Sequence, residues 1–238
     1  MHAGAAGRGR VVVLTAALLP VLATWNNLVV HRLPGRPGSY VVANVAATAV
    51  LLAAARAAGL SWAELGFDRR RLVAGARWGG GCAAVVAAGY AGALALPAVR
   101  PLLADARVAG LDGGELAGQV LVRIPLGTVL WEEVAFRGVL LTALGRLLSR
   151  RGATGISAAL FGLWHVRPTL GALVANDLAG GPLARTGAVL LACLGTAAAG
   201  VLFAELRIRS GSLLAPALLH LATNSLGVLA GAAAHRLA

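Results

Sequence analysis

The sequence predicts an all-α protein, a polytopic transmembrane helical bundle with about seven membrane helices. The chain of 238 residues is 58% hydrophobic, and its mean hydropathy is +0.80. Only 13% of its residues are charged, whereas a soluble domain has about 25%. The apolar residues fall into seven runs, each close to the roughly 20 residues that a helix needs to cross a bilayer. These three observations favour one membrane bundle over a soluble domain.

Turns rich in Pro or Gly and short polar loops separate the predicted spans. The spans cover residues 11–30, 41–58, 78–97, 116–145, 153–175, 184–204 and 213–234. Between them lie a turn at 31–39 and polar loops at 61–77, 104–115 and 205–212. An eighth, short or re-entrant segment at 166–184 is the alternative. Within a single membrane domain, we expect generic transmembrane helices in residues 1–110 and the functional core in residues 111–238.

The charge distribution indicates a membrane orientation rather than nucleic-acid binding. The net charge is +12 and every basic residue is an arginine, but the arginines lie between apolar runs instead of clustering on a soluble face. The N-terminus and the segments 56–77, 146–151 and 205–211 hold 12 arginines, and the segments on the opposite side hold 7. The positive-inside rule therefore predicts a cytoplasmic N-terminus. We expect an integral protein of the cytoplasmic (plasma) membrane.

The two cysteines, Cys82 and Cys193, lie inside apolar runs and belong to no C-x-x-C motif. We therefore expect small hydrophobic side chains rather than a zinc or redox site. The sequence carries no signal for an oligomeric state.

Two carboxylates and an arginine interrupt the fourth apolar span. Charged groups inside a bilayer are costly, so they usually face a bundle interior and mark a functional site. Glu133 and Arg137 are four residues apart, so they lie on one helix face and can pair. Glu132 points about 100° away from Glu133, which leaves its carboxylate for another task such as general base catalysis. The alternative is a single buried ion network that fixes helix packing.

Two histidines, His165 and His220, lie inside apolar spans. Phe161 stands four residues before His165, and Asn224 stands four residues after His220, so each pair shares a helix face. Pro216 is expected to kink the helix beside His220. A carboxylate could take a proton from water, one imidazole could orient that water, and an imidazole with an amide could donate to an oxyanion. The alternative is that these histidines are interhelical hydrogen-bond donors.

Three motifs in these spans resemble those of the CPBP family of intramembrane endopeptidases. This family includes the type II CAAX prenyl proteases, the Abi proteins and the bacteriocin self-immunity proteins. The resemblance covers roughly residues 115–232, and its motifs are Glu132-Glu133-x-x-x-Arg137, Phe161-x-x-x-His165 and His220-x-x-x-Asn224.

The resemblance implies a protease that cleaves a membrane-associated substrate, such as a prenylated CAAX-box protein, another peptide or a membrane protein. It implies that Glu132 is the base and that His165 holds the water. It also implies that His220 and Asn224 form the oxyanion site. By the same resemblance, the supporting residues are Glu133, Arg137 and Phe161.

Three alternatives compete with this interpretation. Glu132, His165 and His220 could bind zinc as a His₂Glu set. The sequence lacks the His-Glu-x-x-His helix of a metalloprotease, and we therefore expect no cofactor. A non-catalytic immunity or scaffold protein could keep the same fold. A small transporter would also need intramembrane charges, but the chain lacks paired half-repeats with matching Gly or Pro breaks.

Overall fold

A computed structural model describes residues 2–35, 38–178 and 180–237. Within these residues the chain forms seven long helices and no β-strand. Helices α1 to α7 cover 2–32, Gly38–Ala57, Leu72–Ala95, 113–147, Arg150–Ala175, Pro182–Ser210 and Leu214–Leu237. Six of them are long and apolar enough to cross a membrane; the seventh, α4, carries Glu132, Glu133 and Arg137. The predicted all-α membrane bundle is confirmed.

Three helix boundaries differ from the prediction by more than five residues. Helix α1 begins at His2 rather than at 11. Helix α3 begins at Leu72 rather than at 78, because the Asp68 side chain accepts from the Arg70 N–H and caps the short 3₁₀ turn Arg69–Arg71. Helix α6 continues to Ser210, so the loop predicted at 205–212 is wrong for 205–210. There Glu205 pairs with Arg209 one turn later, and Gly211, with a φ of 69°, ends the helix.

The predicted turn at 31–39 and the alternative eighth segment at 166–184 both fall partly outside the described residues. The turn at 31–39 includes 36 and 37, and the segment at 166–184 includes 179. The described part of the latter holds Val166–Ala175, a helix of 10 residues. At 1.5 Å per residue it is too short to cross the bilayer alone, and it forms the second half of α5.

Several helices leave regular α geometry near the predicted site residues. Helix α5 breaks at His165, where φ is −93° and ψ is 3°. π-Helical turns occur at Trp25–Val29 in α1, Glu133–Leu140 in α4 and Ala222–Leu226 in α7. Such turns are frequent at functional sites. Pro216 lies in the first turn of α7, which begins at Leu214, where a missing N–H removes no helical hydrogen bond; the kink expected there stays a prediction.

Glycines let two helix pairs approach closely. A Cβ at Gly79 of α3 would lie 2.6 Å from the Ala215 carbonyl oxygen of α7. A Cβ at Gly162 of α5 would lie 2.5 Å from the Cys193 carbonyl oxygen of α6. Small residues at such contacts are characteristic of membrane helix packing. Both cysteines are free and half-buried within their helices.

The N-terminal helices share one core with the C-terminal helices. The buried cluster contains Leu22 of α1 and Leu51 of α2 together with Trp131 of α4. Asn44 of α2 is also buried, and its side chain donates to the Gly127 carbonyl at 2.6 Å and accepts from the Trp25 indole at 2.8 Å. These bonds connect α1, α2 and α4 at the level of the predicted site.

Replacement of Gly79 by Ala is expected to lower the stability of the folded protein by about 1–3 kcal/mol, the usual cost of overpacking. The added methyl group would overlap the Ala215 carbonyl and the Leu218 Cβ. Gly80→Ala is the matched control, because a Cβ there meets nothing within 4 Å. Thermal unfolding in detergent measures both variants. Equal unfolding midpoints would contradict a requirement for close contact between α3 and α7.

Candidate active site

Glu133 is the centre of a buried ion network between α4 and α7. Its Oε1 atom accepts from Arg137 Nη1 at 3.0 Å, so the pair expected from the four-residue spacing forms. The same oxygen lies 2.8 Å from Nδ1 of His220. Glu133 and Arg137 are each 1% exposed, and His220 is 4% exposed. Because the three groups are desolvated together, each depends on the others for polar contacts.

Aromatic rings surround the guanidinium of Arg137. Its Cζ atom lies 4.0 Å from the ring centroid of Phe161, 4.7 Å from that of Phe203 and 5.7 Å from that of Phe136. Nε and Nη2 have no hydrogen-bond partner among the described residues. Contact with the ring faces therefore stabilises the cation where hydrogen bonds are lacking.

Glu132 has one fixed oxygen and one without a hydrogen-bond partner. The indole N–H of Trp164 donates to Oε1 at 2.9 Å. Oε2 is buried and has no hydrogen-bond partner among the described residues, and it lies 3.8 Å from Nε2 of His220. His220 thus stands between the two carboxylates, with Nδ1 facing Glu133 and Nε2 facing Glu132.

His165 lies at the break in α5 and is oriented by its own helix. Its Nδ1 atom is 2.8 Å from the Phe161 carbonyl oxygen, and the two rings meet edge to face at 4.7 Å. The Phe161 ring also lies 6.2 Å from the His220 ring, so it stands next to both imidazoles. His165 makes no ion pair or hydrogen bond with Glu132 or Glu133 in the described structure.

Asn224 lies in the π-helical turn of α7, one turn beyond His220, and is partly exposed. Its side chain makes no hydrogen bond with the described residues. The structure therefore brings Glu132, Glu133, Arg137 and His220 into direct contact, with Phe161 against them. His165 borders this group through the Phe161 ring, and Asn224 lies one turn beyond His220.

The side chains do not form a ready metal site. Among the described residues, no group of three or more His, Cys, Asp or Glu is arranged to hold a metal ion. Glu132 and His220 are neighbours, but His165 does not join them as a third zinc ligand. The expectation of no cofactor stays a prediction.

An apolar cavity of about 270 Å³ lies between α3, α4 and the start of α7. Its lining includes Phe67, Leu72, Val134 and Ala217, and Glu133 is the acidic residue among them. Glu132, His165 and Asn224 are not part of this lining. The cavity therefore meets the ion network at Glu133.

Sequence reasoning missed two contacts of the site. Trp164 lies next to His165 in the motif, yet its indole is the group that holds Glu132. Phe203 of α6 lies outside all three motifs, and it stacks near both Arg137 and His220, whose ring is 5.3 Å away. Adjacency to a motif could have indicated Trp164, whereas Phe203 becomes evident only when α6 is placed beside α5.

The fold and site together define a polytopic membrane protein with a buried centre of carboxylates and imidazole. Comparison with protein families identifies residues 116–226 as a type II CAAX prenyl endopeptidase Rce1-like domain. This match supports the family of CPBP/CAAX-type intramembrane proteases that the motif resemblance predicted, and all three motifs lie inside the matched residues. No curated protein and no solved structure matches the chain.

Arg137→Met is expected to destabilise the folded protein by about 3–5 kcal/mol, because it leaves the Glu133 carboxylate buried without its cation. Arg209→Met is the control, since that arginine pairs with Glu205 on an exposed surface and such pairs contribute at most about 1 kcal/mol. Unfolding in detergent measures both. Glu133→Gln in the Arg137→Met background should recover part of the loss, and equal losses for the two arginine variants would contradict the network.

Proposed function

We propose that this protein is a glutamic-type intramembrane endopeptidase, in which Glu132 activates a water molecule for attack on a peptide bond. The observation that carries the proposal is the state of Glu132. One of its oxygens is held by Trp164, and the other is buried without a hydrogen-bond partner beside His220. Positioned acceptors of this kind serve as general bases.

The proposed reaction assigns one step to each polar group. Glu132 takes a proton from the water, which His165 orients, and the hydroxide attacks the scissile carbonyl. Because Nδ1 of His220 is engaged by Glu133, its Nε2 is the nitrogen turned toward the reacting centre. In the imidazolium form of His220, Nδ1–H donates to Glu133, and the Nε2–H together with the Asn224 amide donates to the oxyanion. Glu132 then returns its proton to the leaving amine as the peptide bond breaks.

The substrate class follows from the family and the membrane setting. We propose a peptide or membrane-protein substrate, of which a prenylated CAAX-box protein is one example. The substrate would enter from the bilayer or from the membrane surface. We further propose a plasma-membrane location, with the N-terminus in the cytoplasm as the arginine distribution indicates.

Glu132→Gln keeps the shape of the side chain and its bond to Trp164 but removes the base. We expect cleavage to fall by at least about 100-fold, within the usual contribution of general base catalysis. Peptidomics of membranes with wild-type or variant protein at equal abundance would find the substrate and measure the loss. Glu205→Gln, on the exposed end of α6, is the control and should retain activity. Unchanged cleavage in both Glu132→Gln and His220→Ala would favour the non-catalytic immunity or scaffold protein.

The proposed mechanism needs no metal ion. We expect purified protein to keep its activity after extensive treatment with a chelator and to contain less than one equivalent of zinc. Elemental analysis with parallel cleavage assays tests this expectation. Activity that disappears with the chelator and returns with added zinc would replace the glutamate mechanism by a zinc-dependent one.

A further inference from the structure

The break in α5 leaves three backbone groups without their helical partners. Pro168 has no N–H, so it cannot donate to the Trp164 carbonyl four residues before it. The Arg167 N–H and the Leu163 carbonyl, which would pair in an unbroken helix, do not bond to each other because the chain turns at His165. Inside a bilayer, each unsatisfied group of this kind is costly.

Two consecutive asparagines of α1 satisfy all three groups. Asn26 Nδ2 donates to the Trp164 carbonyl at 3.2 Å. Asn27 Nδ2 donates to the Leu163 carbonyl at 2.9 Å, and its Oδ1 accepts from the Arg167 N–H at 3.0 Å. The Asn27 amide therefore stands between the two groups that an unbroken helix would join, and the asparagine pair brackets His165 on both sides.

The asparagines are themselves held in place. They lie in the π-helical turn Trp25–Val29, and Asn27 Nδ2 also contacts the Ala23 carbonyl at 3.1 Å. The preceding Trp25 donates to the buried Asn44 and packs on Trp131, with ring centroids 5.7 Å apart. This arrangement connects the asparagine turn to the segment of α4 that carries Glu132.

We propose that Asn26 and Asn27 are positioning residues that hold the break in α5 and thereby the direction of the His165 imidazole. This inference rests on the proposed function only in assigning a catalytic task to His165. It also extends the site beyond residues 116–226, into the first transmembrane helix. The asparagine pair acts on the backbone of α5 and does not touch the substrate.

Asn27→Leu tests the proposal because it removes both hydrogen bonds to α5, with the Leu163 carbonyl and the Arg167 N–H, while keeping a similar side-chain volume. The Arg167 N–H should lose protection, so hydrogen–deuterium exchange of peptides covering residues 163–169 should accelerate. We expect kcat on a substrate found by peptidomics to fall about 10- to 100-fold, the usual result of misplacing a catalytic group. KM should stay within about twofold, because the asparagine does not meet substrate.

Thr24→Val is the matched control on the same helix. The Thr24 hydroxyl bonds only to carbonyl oxygens of its own helix, at Pro20 and Val21. Neither the exchange of residues 163–169 nor kcat should change in this variant. Asn27→Asp keeps the acceptor for Arg167 but cannot donate to Leu163, so its effect on both readouts should lie between those of wild type and Asn27→Leu.

A double-variant comparison isolates the role of Asn26. Pro168→Ala restores an N–H that can bond to the Trp164 carbonyl, which makes the Asn26 donor redundant. Asn26→Leu should therefore accelerate exchange less in the Pro168→Ala background than in wild type. If Asn27→Leu does not accumulate in membranes, this comparison and Asn27→Asp test whether the asparagines hold the break in α5.

Two results would overturn the proposal. The first is unchanged exchange at 163–169 in the asparagine variants, and the second is accelerated exchange with an unchanged kcat. Cleavage that survives in Glu132→Gln would instead remove the proposed function and leave the exchange result intact. The two failures are therefore distinguishable.

Discussion

The arrangement of this site depends on the buried contact among Glu133, Arg137 and His220. A carboxylate cannot remain charged in an apolar bundle without a cation, and the four-residue spacing on α4 supplies Arg137 at the required position. The same carboxylate fixes one nitrogen of His220, which turns the other nitrogen toward Glu132. One ion pair inside a single helix thus determines the orientation of a side chain on another helix.

The rings around Arg137 explain why this network needs several helices. Phe136 lies on α4, Phe161 on α5 and Phe203 on α6, and each presents its face to the guanidinium. The cation is therefore a point where three helices converge. Phe161 also touches both imidazoles, so the packing around the charge and the placement of the histidines are parts of the same contact surface.

The sequence alone predicted the membrane bundle, the seven long helices and the pairing of Glu133 with Arg137, because hydropathy and helical spacing are local properties. It missed the helical continuation through Glu205–Ser210. The charged residues there read as a polar loop in the sequence, whereas in the structure Glu205 and Arg209 pair on one helix face. It also missed Trp164, Phe203 and Asn27, whose contacts join residues far apart in the chain. The motif spacing predicted the contact of Glu133 with Arg137, whereas only the structure shows which carboxylate oxygen has no hydrogen-bond partner among the described residues.

Placement of Asn44 between Trp25 and Gly127 has a consequence for how the chain can be divided. The C-terminal motifs look like a module that could be transplanted, yet their surroundings include amides from the first two helices. A chimera that grafts residues 111–238 onto unrelated membrane helices would carry every motif residue but lose these donors. The C-terminal half that carries the motifs therefore depends on the first two helices for part of its hydrogen bonding.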